Sequence, residues 1–256
     1  MSEPVACPNE TVRQLFARRS VRAFTEEPVG ADDERAVLEA ACQAPTAGNQ
    51  QLYSIIVVRD QAKKDALAIT CDNQPFIARA PLVLVFCADV ARWHAAFVAA
   101  GACPREPGVG DFLLALEDAA IAAQNAVVAA ESLGLGSCYI GDILERREEQ
   151  AQILGCPRHV VPVVMLVIGH PTEGQLKRVK PARFPLGTVV FEDRYEPCDA
   201  ARQLELLEPK RTGEAELAAW ARAFCERKWN SGFSREMTRS AAAILADFAT
   251  DVSESE

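Results

Sequence analysis

Three arginines fall within five positions in the stretch RRSVR, at Arg18, Arg19 and Arg22, in a chain whose formal net charge is −9. An acidic protein has no general use for so local a positive knot. Arg18 and Arg19 read as the last turn of a helix, where cations suit the negative end of the dipole. Ser20 and Arg22 stand two apart in a segment that reads as extended, so their side chains share a face. A hydroxyl and a guanidinium then converge beside the helix-end arginines. Guanidinium forks match phosphate oxygens bidentately, which makes a phosphate monoester the natural guest.

Other polar residues could complete such a site. PTAGNQQ carries Thr46, Asn49 and Gln50, and CDNQPF carries Asn73 and Gln74 just ahead of an apolar run. Taken singly these are ordinary turn and cap residues. Together they supply the donors and acceptors that the edge of a heteroaromatic ring requires. GLGSCYIG, residues 134–141, is not GxGxxG and follows a helix rather than a strand, so it is no dinucleotide fingerprint. It reads as a helix C-cap, with Gly134 or Gly136 left-handed, followed by a backbone run that a planar ligand can approach closely. No GxSxG and no cysteine with a motif-placed histidine is present, and no acid–base carboxylate pair stands out. A phosphate cradle with ring-edge amides and no evident catalytic acid points to a cofactor that carries the chemistry.

These residues need elements to hold them. PNETVRQLFARRS reads as a helix capped by Asn9, with Val12, Leu15 and Phe16 on one face. GADDERAVLEAACQA is a second helix, with acids in its first turn. YSIIVVRD reads as a strand, QAKKDALAIT as a short helix, and APLVLVFCAD as a strand covered on both faces. DFLLALEDAAIAAQNAVVAAESLG is a long helix, apolar around most of its circumference, that needs cover from its own domain or from a second subunit. SCYIG is a short extended piece and REEQAQILG a helix. HVVPVVMLVIG is a strand that Pro162 bends or leaves unpaired. Residues from Gln175 to about Pro209 read as an extended excursion. GEAELAAWARAFCERKWN and REMTRSAAAILADF close the chain as helices, ahead of a frayed acidic end, DVSESE. The pattern predicts an α+β fold.

Composition narrows the function classes. The chain has 256 residues, 49% hydrophobic and 25% charged, an ordinary globular balance. Its acidity argues against nucleic-acid binding. Nine cysteines, an odd number with no CxxC pair, read for the most part as buried thiols in a reducing compartment. His94, His159 and His170 lie far apart, so no metal site is expected. The N-terminus lacks the basic start and apolar run of a signal peptide. The runs PLVLVF and VVPVVMLVIG are far short of the roughly 20 residues of a membrane span. A soluble, cytoplasmic protein is expected.

RRSVRAFTEEPV followed by LEAACQAPTAGNQQLYSIIVV resembles the opening signature of the nitroreductase family of flavoproteins. ALEDAAIAAQNAVVAAESLGLGSCYIGDI is similar to its central helix and flavin-facing loop, VPVVMLVIGHP to its next strand, and KPARFPLGTVVFEDRY to the stretch after that. ERKWNSGFSREMTRS resembles the C-terminal end of the NADPH-preferring, flavin-reductase-like branch. The match runs from about Thr11 to Leu245. It implies a nitroreductase-like α+β fold with a central mixed sheet flanked by helices, and an intertwined homodimer with one FMN at each of two interfaces. Residues 1–256 then form a single domain, with a flavin-binding core over 11–175. Residues 176–256 form an excursion and C-terminal helices that pack on the partner.

The resemblance assigns Arg18, Arg19, Ser20 and Arg22 to the FMN phosphate and ribityl chain. Thr46 takes the place of a small hydroxyl residue, with Asn49 close by, and Gln74 lies at the flavin's polar edge. Tyr139, Ile140 and Gly141 form the backbone run against the isoalloxazine, offering an N–H toward N5. Lys180 and Arg183 match a later phosphate-binding pair, with Ala182 inserted between Pro181 and Arg183. No side chain is implied as catalytic, because the hydride chemistry occurs on FMN N5. The implied activity is ping-pong NAD(P)H oxidation coupled to two-electron reduction of nitroaromatics or quinone-like acceptors, with no metal, nucleic acid or membrane. Alternatives are an NAD(P)H:flavin reductase, a reductase of one metabolite, or a non-catalytic flavin-binding sensor or storage protein. Lys210 and Arg211 in EPKRTGE are the basic pair expected to meet the 2′-phosphate of NADPH.

Overall fold

The computed structural model describes residues 9–249, so the DVSESE end and Cys7 lie outside the described residues. The helices are α1 (Glu10–Ala17), α2 (Ala31–Cys42), α3 (Gln61–Thr70), α4 (Pro75–Ala78), α5 (Ala91–Ala99), α6 (Val109–Ser132), α7 (Arg147–Leu154), α8 (Glu173–Leu176), α9 (Leu186–Val189), α10 (Ala200–Glu205), α11 (Leu217–Lys228) and α12 (Gly232–Asp247). The strands are β1 (Tyr53–Val57), β2 (Leu82–Asp89), β3 (Gly136–Ile140) and β4 (Val160–Gly169).

The strands form one sheet in the order β1-β2-β4-β3, every neighbouring pair antiparallel. The α+β class expected from sequence is the one observed. The mixed sheet needs correction: among the described residues, the parallel pairing is the isolated bridge Ser20–Ser137 on the outer edge of β3. Pro162 acts as expected. Cys87 pairs with Pro162 while Phe86 pairs with Val164, which leaves a bulge where proline has no N–H to give.

All of β2 is buried, because helices cover both sheet faces. Leu82, Leu84 and Phe86 face a core shared with α2 and α6. Val83, Val85 and Cys87 face a second core with Leu67 of α3, Ile77 of α4 and Leu154 of α7.

Helix α6 is long and apolar enough to cross a membrane, with a mean hydropathy of 1.4, although sequence reading singled out only shorter runs. Its inner face, including Ala115, Ala119, Ala122 and Ala126, is fully buried. Its outer face is left uncovered by the described residues: Leu113, Leu114 and Ile121 are 50%, 44% and 41% exposed. Helix α1 likewise leaves Leu15 and Phe16 exposed.

The chain divides into two compact units. The first runs through Lys177 and takes up the chain again from Met237, so Ile244 and Phe248 belong to the core of this same chain. The second, Arg178–Glu236, holds α9, α10 and α11 and has no buried residue. The excursion read from sequence as extended contains the short helices α9 and α10, while α11 falls on the helix expected in GEAELAAWARAFCERKWN. Helices α4 and α5 were not legible in the sequence either. The first has only 4 residues, and the second has no side-chain cap and no buried residue to give it a periodic signature.

Candidate functional site

The arginine-rich segment is set by the end of α1. Asn9 caps the helix by accepting the Val12 N–H at 3.0 Å. The helix stops at Ala17, and Arg18 leaves it with φ −51° and ψ 135°. Arg18 and Arg19 therefore lie beyond the last turn in which they were expected. Arg18 is the C-cap itself, its N–H on Gln14 O at 2.8 Å, and Arg19 follows it toward the edge of β3. Val21 donates its N–H to Ser137 O at 2.9 Å, which lays the segment along β3. That contact is why Gly136 is glycine: a Cβ there would stand 2.5 Å from Val21 Cγ2. Gly134, with φ 76°, is the left-handed residue after α6. Past β3 the segment bends over the end of β4, where Thr25 N–H reaches His170 O at 2.9 Å and Thr172 N–H reaches Ala23 O at 3.2 Å. The Gln175 side chain accepts the Arg22 N–H at 3.0 Å, and the Arg19 guanidinium donates to Leu176 O.

This path gathers the predicted residues of the first half-site. Burial pushes the Cys138 thiol above its ordinary pKa, while Arg22, the Ser20 hydroxyl and Arg18 pull it down. All three therefore act on the Cys138 thiol of β3. The Arg18 guanidinium lies over the Tyr139 ring, 5.9 Å from its centroid. Burial drives the Tyr139 phenol up to about 12 against the pull of Arg18. Its hydroxyl donates to Gln124 Oε1 at 3.1 Å, so it stays neutral at any physiological pH. Arg18 Nε and Nη2 and Ser137 Oγ are buried with no hydrogen-bond partner. Buried guanidinium nitrogens left without acceptors are costly unless something polar meets them. Ile140 ends β3, and Gly141 follows with nothing within 4 Å of where its Cβ would be. An unmatched cation, an orphaned hydroxyl and an uncrowded backbone glycine suit an anionic group carrying a planar ring.

Gln74 caps α4, its N–H bonded to Ala68 O at 2.8 Å and its side-chain Nε2 to Cys71 O at 2.9 Å. The turn before it puts Asp72 and Asn73 both at positive φ, 58° and 51°. A neighbouring cleft of about 600 Å³ has Arg22, Phe24 and Phe76 in its walls.

Thr46 and Asn49 are not brought to this cluster. Their loop leads into β1, and β1 and β3 are opposite edges of the sheet, about 14 Å apart at ordinary strand spacing. The loop forms a different wall. Gln50 and Leu52 join Trp93 and Phe97 around a pocket of about 410 Å³. The Trp93 indole donates to Gln50 O at 2.7 Å.

The residue that sequence reading missed is Asp118 on α6. It is 2% exposed, and it accepts the N–H groups of Ala47 at 2.8 Å and Leu52 at 3.1 Å. A charged residue at a buried position of an apolar helix was the signal that could have found it.

Lys180 and Arg183 lie in the second unit, as do Lys210 and Arg211. Lys210 donates to Ala182 O at 2.7 Å and sits 4.5 Å from the Phe184 ring centroid. Arg211 bonds Glu208 Oε1 through Nε at 2.8 Å and Ala215 O at 3.0 Å. The basic pair read as a loop is thus engaged within its own unit, and Lys210 ends a short 3₁₀ turn.

The nitroreductase family model matches residues 15–170, well over half of the chain. An FMN reductase (NADPH) of Bacillus subtilis (strain 168) is 37% identical over 189 residues, covering 73% of this chain and 75% of the relative. An oxygen-insensitive NADPH nitroreductase of Salmonella typhimurium is 38% identical over 191 residues, covering 74% and 76%. The solved structure of the NADPH:FMN oxidoreductase of Vibrio harveyi, complexed with NAD+, superposes with a TM-score of 0.77 at 26% identity, covering 93% of this chain and 98% of that one. Sequence and fold agree over the same core that carries the arginine cluster, β3 and Gly141, and the chain belongs to the nitroreductase family.

Proposed function

We propose that this chain is an FMN-dependent NAD(P)H oxidoreductase that works as a cytoplasmic homodimer and reduces small aromatic or quinone-like acceptors by ping-pong exchange. The observation that carries the reading is the half-buried Arg18 side chain, which lies over the Tyr139 ring with Nε and Nη2 unmatched, two residues before the uncrowded Gly141. Arg18, Ser20 and Arg22 would hold the phosphate and ribityl chain of FMN by charge-assisted hydrogen bonds. Arg19 is read as part of the same strip. The Tyr139–Gly141 backbone would lie along the ring, with Gln74 at its polar edge. Lys180 and Arg183 are assigned on their sequence pattern. Bound FMN supplies a two-electron carrier that takes hydride from the reduced nicotinamide and passes it to the acceptor. The protein positions and screens, and the neutral Tyr139 phenol contributes no proton transfer.

The homodimer reading has two supports. The exposed apolar row of α6 needs cover. Thr46 and Asn49, on the far sheet edge, reach a flavin held at β3 when that flavin belongs to a second copy. Free FMN is a second acceptor reading, favoured by the FMN reductase relatives.

The test is purification. The protein is expected to be yellow, to release FMN on denaturation, and to oxidise NADPH or NADH with a quinone. A colourless protein that neither takes up added FMN nor oxidises either donor overturns the reading. A flavin-loaded protein whose flavin NADPH does not bleach under anaerobic conditions would be a sensor or store.

A further inference from the structure

Asp118 is a buried carboxylate that the proposed chemistry does not use. It sits on α6 among Ala115, Ala119 and Ala122, where an apolar side chain would pack without desolvating a charge. Its two oxygens take the N–H groups at the two ends of one loop, Ala47 and Leu52. The loop between them is not a relaxed turn. Gly48, Asn49 and Gln51 all have positive φ, at 55°, 56° and 50°, and two of these are not glycine. Such a conformation persists where its surroundings over-determine it. Gln51 N–H also reaches Thr46 Oγ1 at 3.2 Å, and Gln50 O is held by Trp93.

We infer that Asp118 is a positioning residue that holds the Thr46–Asn49 loop in shape for the flavin site of the second copy. This rests on the flavin reading above. The loop cannot serve the arginine cluster of its own chain, because the width of the sheet lies between them. Asp118→Asn is the matched probe, since it keeps the volume but replaces one accepting oxygen with a donor. One of the two loop N–H groups then faces an NH2.

Flavin binding is measured by titrating FMN into the deflavinated dimer, with the thermal midpoint of the same deflavinated protein as a check on folding. Asp118→Asn is expected to weaken FMN binding tenfold or more. Co-expressed, differently tagged chains separate positioning across the interface from a fold effect. A dimer of one Asp118→Asn chain and one Arg22→Ala chain keeps one site with both halves intact. It is expected to bind half the wild-type FMN at wild-type affinity. If Asp118 acts within its own chain, that mixed dimer has no intact site and binds none tightly, which overturns the inference. Wild-type affinity in the Asp118→Asn homodimer overturns it too, and leaves the flavin reading standing. A wild-type protein that binds no FMN would defeat the flavin reading itself.

Discussion

At the scale of single residues, two contacts decide the arginine cluster. Arg22 acts electrostatically on Cys138 of β3, as Ser20 and Arg18 also do. On the proposed reading, Arg22→Ala removes one charge-assisted hydrogen bond to bound FMN. It is expected to weaken FMN binding by about 1.5–3 kcal/mol, roughly ten- to a hundredfold. Fluorescence titration of FMN checks this, and unchanged affinity removes Arg22 from the site. Gly136 makes a second kind of contribution, because it lets Val21 close on β3. Gly136→Ala places a methyl 2.5 Å from Val21 Cγ2 and should destabilise by about 1–3 kcal/mol while splaying the basic segment. Trimming the obstacle in the double variant Gly136→Ala, Val21→Ala should recover part of the lost flavin affinity. A double variant no better than Gly136→Ala alone would show that the glycine matters for another reason.

At the scale of elements, α6 is the helix on which the proposed dimer rests. Leu113, Leu114 and Ile121 form an exposed apolar row on a helix whose other face is sealed against the sheet. Ile121→Glu would bury an unpaired carboxylate in a dimer interface and leave a monomer soluble. Light scattering should report a shift from dimer to monomer, with loss of bound flavin at the shared sites. A flavin-loaded monomer of the wild-type chain would contradict both the dimer and the sharing. The short turn Glu208–Lys210 is a weaker element. Its cations are already bonded to Glu208, Ala182 and Ala215, so they meet a 2′-phosphate only by exchanging those partners. The Lys210→Ala, Arg211→Ala double variant is expected to raise KM for NADPH but not for NADH. Added salt should narrow the wild-type preference, since exposed charges are screened over about 8–10 Å. An unchanged preference assigns the pair to local structure alone.

At the scale of the whole molecule, the end of α12 anchors the first unit. Phe248 is buried 5.0 Å from the Phe112 ring and 4.8 Å from the His159 ring, centroid to centroid. Asp247 pairs with Arg147, and its carbonyl accepts from His159 Nε2 at 3.3 Å. Phe248→Ala is expected to cost about 3–5 kcal/mol, lowering the thermal midpoint by roughly 10 °C. A drop of a degree or two would show that the chain end frays without consequence. Burial, with help from Arg158, holds the His159 imidazole below its ordinary value near 6.5, against the pull of the Asp247 carbonyl. The folded state then takes this proton less readily than the unfolded one. The stability His159 contributes is present above about pH 6.5 and is lost as pH falls below that. Comparing thermal midpoints at pH 7.5 and 5.5 in wild type and His159→Gln isolates the effect, and wild type should lose more.

The sequence by itself determined the elements with strong local signatures: both long apolar strands, the capped helices α1 and α3, and the kind of site that RRSVR and the 134–141 run imply. Those follow from hydrophobic period, cap chemistry and side-chain type, which are properties of neighbours in the chain. It also narrowed the left-handed residue after α6 to Gly134 or Gly136, and the structure has it at Gly134. What only the tertiary structure decided depends on distant pairs. The direction of the strands was one such feature, because antiparallel pairing is set by how 168 meets 82 and 137, not by any short stretch. The course of Arg18 and Arg19 along β3 was another, fixed by Gly136 and Ser137 more than a hundred residues on. Asp118 was a third: only its two bonds to a loop 66 and 71 residues earlier show why a carboxylate lies buried in an apolar helix. Sequence put Thr46, Asn49 and the arginines in one site. The structure puts them on opposite edges of the sheet within one chain, since no single strand pattern encodes which edge a loop will occupy.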